Sequence, residues 1–156
     1  MELVELASSL ISFRTEIPPG NEEGCARFIG DYLSDLRIDD TEVLLDRFEP
    51  GRANVVAKIG PKEPGLLLGG HIDVVPAGDE KAWSSPPFEG VVRGDRLYGR
   101  GSADMKTGLA AILKAIEATG SKLRRGLLFV ATSGEEVGFE GLKALYARKL
   151  LPEGAA

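Results

Sequence analysis

The chain has 156 residues, 43% of them hydrophobic, enough to fill one sizeable core and to exclude a disordered or fibrous class. With 19 basic residues against 24 acidic ones the net charge is −5, and the densest basic cluster is Arg124-Arg125, so nucleic acid is excluded as a partner. Acids stand at the N-terminus where a secretory signal would carry bases, and no apolar run approaches the ~20 residues of a membrane span; no membrane partner and a cytoplasmic location are expected.

In chain order, Leu3, Leu6, Leu10 and Phe13 at helical spacing predict an amphipathic helix over residues 2–13. Pro18-Pro19-Gly20 stops it, and Asn21 is the expected N-cap of a second helix reaching Leu36. That helix carries Cys25, the single cysteine, which rules out an intrachain disulfide or a sulfur-rich metal cage and reads as a buried structural thiol. Two β segments, Thr41–Phe48 and Asn54–Ile59, flank the turn Pro50-Gly51. The apolar run Gly65–His71 predicts a strand buried on both faces, with His71 at its C-terminal end. Residues 77–98 form a long loop whose Trp83, Pro86, Pro87 and Phe88 suggest a packing cluster, closed by a hairpin turning at Arg93-Gly94-Asp95. A helix over 105–118, a second buried strand Gly126–Thr132 and a last helix Gly141–Leu150, stopped by Pro152, complete the pattern. It argues an α/β class: a central, mostly parallel sheet flanked by helices.

Three polar clusters punctuate these elements: G-G-H-I-D-V-V-P around His71, G-R-G-S-A-D-M-K-T-G around Asp104, and T-S-G-E-E-V-G around Glu135 and Glu136. Asp104 falls at a predicted helix N-terminus, where unpaired N–H groups and the macrodipole favour an ionised carboxylate. Its two oxygens can hold two cations ~3.5–4 Å apart. In an extended backbone Asp73 lies on the side of His71, placed to accept the second ring N–H and orient a metal-bound imidazole. Adjacent Glu135 and Glu136 point apart, so one can bind metal while the other takes a proton. An imidazole among carboxylates suits Zn²⁺, with Co²⁺ or Mn²⁺ able to substitute. Taken singly, a polar His after a strand, an Asp helix cap and a solvated Glu pair are ordinary; together those readings leave three clusters at strand ends and helix starts unexplained. Arg100 and Lys106 lie near the carboxylates in sequence and are read as offsetting acidic charge.

G-H-I-D-V-V-P, W-S-S-P-P-F, G-R-G-S-A-D-M-K-T-G and S-G-E-E-V-G resemble the signature segments of the M20 metallopeptidase family, especially its acetylornithine deacetylase and succinyl-diaminopimelate desuccinylase branch. The resemblance covers the chain in order. It implies a zinc-exopeptidase-like fold in which His71 binds one metal, Asp104 bridges both, Glu136 binds the other, Asp73 orients His71 and Glu135 is the general base. It also implies a cis peptide at Asp104–Met105.

Family members of this kind are more than twice as long, with a further carboxylate ligand after the last helix and a second histidine ligand near the C-terminus. His71 is the single histidine here. The resemblance therefore casts residues 1–156 as the N-terminal part of a catalytic domain, without the lid and dimerisation domain and with two protein ligands per metal instead of the usual three. Two functions are expected to compete. One is a metal-dependent amidohydrolase acting on an N-acyl amino acid or peptide, of desuccinylase or deacetylase type, with carboxypeptidase, dipeptidase and aminoacylase as relatives within the class. The other is a catalytically silent α/β module that self-associates through an open sheet edge or apolar face, giving a homo-oligomer.

Overall fold

The computed structural model describes residues 1–61 and 63–152. Helix α1, Leu3–Ser12, buries Leu6, Ala7, Leu10 and Ile11 along one stripe, and Glu2 N–H donates to the Glu5 carboxylate at 3.0 Å to close its first turn. Helix α2 runs Glu23–Asp35 with Cys25, Ala26, Ile29 and Leu33 inward. Asn21 is not its cap. The residue before the helix is Glu22, whose side chain leaves the helix end for a buried ion pair with Arg52, while Glu23 N–H donates to the Gly51 carbonyl at 2.9 Å.

Strands β1 (Glu42–Glu49) and β2 (Arg52–Ile59) form a hairpin over Pro50-Gly51, β3 spans Pro64–His71, and a short ribbon pairs β4 (Val91–Arg93) with β5 (Arg96–Tyr98). Arg93 pairs with Arg96, so the ribbon turns on Gly94-Asp95 alone. Helix α3 is Lys106–Thr119, and β6 is Gly126–Thr132, as expected. Helix α4, Glu140–Ala147, is shorter than its apolar pattern. Lys149 turns left-handed (φ 55°) and Leu150 N–H returns to the Leu145 carbonyl, which folds Leu150 and Leu151 back onto the sheet before Pro152.

The main sheet has the order β1-β2-β6-β3. The α/β class and the helix flanks are as expected, but the sheet is mixed: β1/β2 and β2/β6 are antiparallel and β3/β6 is parallel. The reason is local, since a hairpin turn can only return the chain antiparallel. Alternation then sorts the two faces. Ala53, Val55, Ala57 and Ile59 of β2 with Leu127, Phe129 and Ala131 of β6 face α1, α2 and α3, while Val56, Leu128 and Val130 face Leu145 of α4. Strand β6 is buried on both faces, but β3 is not. It forms the sheet edge, and Leu66, on the α3 side, and Leu67, on the α4 side, are 58% and 42% exposed because neither flanking helix reaches far enough past β6 to cover them.

Candidate metal centre

Parallel pairing of β3 with β6 sets His71 opposite Thr132, so both strands end at one edge of the sheet and hand their polar clusters to the same place. His71 is buried, with Nδ1 3.0 Å from the main-chain carbonyl of Asp73 and Nε2 3.0 Å from Asp104 Oδ1. The Asp73 carboxylate lies 3.6 Å from Nδ1, so the ring is oriented first by the carbonyl of Asp73 and only then by its side chain. The carboxylate is engaged elsewhere as well, where Oδ1 accepts Glu135 N–H at 3.2 Å and Oδ2 accepts Glu136 N–H at 3.0 Å. One fully buried residue thus holds the imidazole and the Glu-Glu backbone together.

Among the described residues, His71, Glu135 and Glu136 each offer a ligating atom within 4.8 Å of the others. Asp104 stands on the far nitrogen of the same ring, at the foot of α3 just before Met105, with its side chain 75% exposed. Of the five residues singled out in the sequence, His71, Glu135 and Glu136 share one cluster, Asp104 reaches it through the His71 ring, and Asp73 holds it from behind. The Asp104–Met105 peptide is cis.

Burial opposes a charge on His71, yet the Asp73 and Asp104 carboxylates outweigh it and push the imidazole up to about 9. Burial likewise acts against ionised Asp73, but its bond to His71 and the two N–H donors bring its carboxyl below the usual range. The Glu136 carboxyl is raised, by burial first and then by Asp104, Asp73 and Glu135, with His71 opposing. An imidazole gathered with several carboxylates is the donor chemistry of a divalent cation, and these residues fit one.

Several neighbours depart from their sequence assignments. Lys106 is attracted by the Asp73 and Glu16 carboxylates but hydrogen-bonds neither: it is fully buried, its Nζ donates to the Phe13 carbonyl at 2.7 Å, and burial lowers it to about 8. Arg100 lies over the Trp83 ring, 5.2 Å from its centroid, and donates to the Pro76 carbonyl. Trp83 itself packs on Val74, Ala77 and Phe88 and donates to the Ala77 carbonyl, so this cluster braces the loop as expected. Met105 was missed by sequence reasoning. Its sulfur accepts His71 N–H at 3.3 Å and its side chain lies against Gly70, where a Cβ would come within 2.3 Å of it. The G-G before His71 was the available signal. Beside the donors a cleft of about 380 Å³ is lined by Leu67, Gly69, Met105, Thr132, Glu135, Phe139 and Leu142 among others.

A helix-flanked mixed sheet that gathers one imidazole and several carboxylates beyond its strand ends defines a metallohydrolase-like α/β fold. Residues 67–155 match peptidase family M20/M25/M40, and the chain belongs to that family. It is 40% identical over 139 residues to succinyl-diaminopimelate desuccinylase of Alkalilimnicola ehrlichii, covering 86% of this chain and 35% of that protein. It is 36% identical to N-formyl-4-amino-5-aminomethyl-2-methylpyrimidine deformylase of Bacillus subtilis, covering 90% and 34%. Among solved structures, an M20 family metallo-carboxypeptidase from Sulfolobus solfataricus superposes with a TM-score of 0.82 at 25% identity, over 96% of this chain and 34% of that one. The chain spans about a third of the length of the relatives it matches.

Proposed function

We propose that these residues form the N-terminal part of the catalytic unit of a metal-dependent amidohydrolase that removes an acyl group from an N-acyl amino acid, of desuccinylase or deacetylase type. The observation that carries the proposal is the meeting of His71, Glu135 and Glu136 within 4.8 Å, with Asp104 3.0 Å from the His71 ring. His71 and Glu136 would hold one cation each and Asp104 both, zinc being the expected metal and cobalt or manganese the substitutes. A divalent cation, when bound, polarises a carbonyl and makes water acidic near neutral pH.

The chain's own groups supply the rest. Asp73 fixes the His71 ring and, through its two oxygens, the backbone of the glutamate pair. Glu135 takes the proton of the attacking water on its carboxylate and passes it to the amine nitrogen as the amide C–N bond breaks. The cleft beside it, walled by Leu67, Met105 and Phe139, receives the acyl chain. Each cation would have two ligands from these residues, fewer than the three a catalytic zinc usually takes from protein, so little hydrolysis by them alone is expected. The open β3 edge favours the second reading, a module that works by self-association.

Zinc titration of the chain and of Asp104→Ala, followed by assay on N-succinyl and N-acetyl amino acids with a separately made C-terminal half from a relative, tests the proposal. Zinc uptake lost in Asp104→Ala and amide cleavage recovered on mixing are expected. No zinc uptake by the parent chain, or uptake that Asp104→Ala leaves unchanged, would overturn it.

A further inference from the structure

The loop that carries Glu135 and Glu136 is closed at its neck by its own backbone: Gly141 N–H donates to the Ser133 carbonyl at 2.8 Å and Glu140 N–H to the Gly134 carbonyl at 3.1 Å. Across that neck lies Asn54, fully buried on the α4 side of β2. Its Oδ1 accepts Ser133 N–H at 3.0 Å, and its Nδ2 donates to the Gly141 carbonyl at 3.0 Å and to Asp46 Oδ2 at 3.1 Å. A single carboxamide therefore pairs with both ends of the loop, which needs an acceptor and two donors on one short side chain; aspartate lacks the donors and leucine lacks both.

The neck is tight. A Cβ at Gly141 would lie 2.2 Å from Asn54 Oδ1 and 2.4 Å from the Ser133 carbonyl oxygen. The Ser133 hydroxyl adds a bond to the Ala53 carbonyl at 2.6 Å, and Arg52, paired through two bonds with Glu22, reaches Glu140. Strand β2 thus grips the loop from behind while Asp73 holds the Glu135 and Glu136 N–H groups from the front.

We infer that Asn54 is a positioning residue for the Glu135–Glu136 pair, fixing the neck of the loop that presents them to His71. It touches no donor atom of the centre and acts through the backbone of Ser133 and Gly141. Groups that hold ligands in place typically change metal affinity about 10–100-fold when removed, and a donor set displaced by a fraction of an ångström binds correspondingly worse. The inference rests on the metal reading of the site.

The test compares the parent chain with Asn54→Ala, the milder Asn54→Ser, and Leu33→Ala, a control in α2 whose side chain packs in the main core. Amide hydrogen exchange is followed without metal, and Co²⁺ is then titrated in and read by its visible absorption. In both Asn54 variants, exchange at Ser133, Glu135, Glu136 and Gly141 rises about tenfold relative to the β2 and β6 amides, and Co²⁺ affinity falls at least about tenfold with a changed band shape. Leu33→Ala raises exchange throughout and leaves the cobalt band in place. If Asn54→Ala fails to fold, Asn54→Ser carries the comparison. A parental ratio of loop to core exchange in the folded Asn54 variants overturns the inference, whatever cobalt does. If the parent chain takes up no Co²⁺, the metal reading fails, and the exchange ratio alone decides the role of Asn54.

Discussion

His71 and its two carboxylate neighbours give the metal-free chain a pH dependence of known sign. The imidazole titrates near its ordinary value of ~6.5 in the unfolded chain and at about 9 in the fold, so its contribution to stability is complete below ~6.5 and is lost as pH rises towards 9. Lys106 works in the other direction, but only above about 8, its folded value. In chelator, the thermal midpoint should therefore fall between pH 6.5 and 8, and His71→Asn should flatten that fall; a midpoint rising across the interval would contradict the assignment. Cys25 gives a second expectation. It is buried and its thiol is pushed up to about 11 by that burial, so a disulfide reagent at pH 8 should label it only when urea unfolds the chain. The donors themselves were legible in the sequence, because His71, Asp104, Glu135 and Glu136 sit in polar, glycine-flanked clusters directly after apolar strands or before a helix. What holds them was not. Nothing in R-A-N-V-V-A-K-I says that Arg52 and Asn54 are buried on partners 30 and 79 positions away in sequence, and the ties of Glu22 and Lys106 are likewise invisible to local pattern.

The elements divide into those whose environment is symmetrical and those whose environment is not. Strand β6 packs against α1–α3 residues on one side and α4 on the other, and its apolar run announced both. Strand β3 has an equally apolar run and ends up at the edge, because periodicity reports which residues want burial and not whether an element arrives to bury them. The two strands should respond differently to truncation. Phe129→Ala removes a fully buried ring from β6 and should cost about 3–5 kcal/mol in urea unfolding. Leu66→Ala, at a position 58% exposed, should stay within about 0.5 kcal/mol. A loss at Leu66 as large as that at Phe129 would mean that its face is covered in solution. Helix ends were the weakest part of the sequence pattern. Asn21 lost the cap position to a tertiary ion pair at Glu22, and the apolar residues Leu150 and Leu151 belong to the chain that doubles back after α4.

At the scale of the whole molecule, β3 offers an unpaired outer edge with Leu66 and Leu67 exposed on its opposite faces, the kind of edge that can template association. Sedimentation velocity should show concentration-dependent association, and Leu67→Lys, which places a charge on that edge, should weaken it; a monomer at every concentration would exclude the edge as an interface. No helix among the described residues is long and apolar enough to cross a membrane. The same architecture decides when a cation can be held at all. Asp73 and Glu135 are 62 positions apart and meet only through the parallel pairing of β3 with β6. An unfolded chain has no such meeting point, so the free energy of cation binding is added to the native state alone. At a free concentration 100 times the dissociation constant this linkage is worth about 2.7 kcal/mol. If the centre binds metal as proposed, a chelator acts on the loaded protein as a mild denaturant, and a melting curve doubles as a gauge of metal affinity.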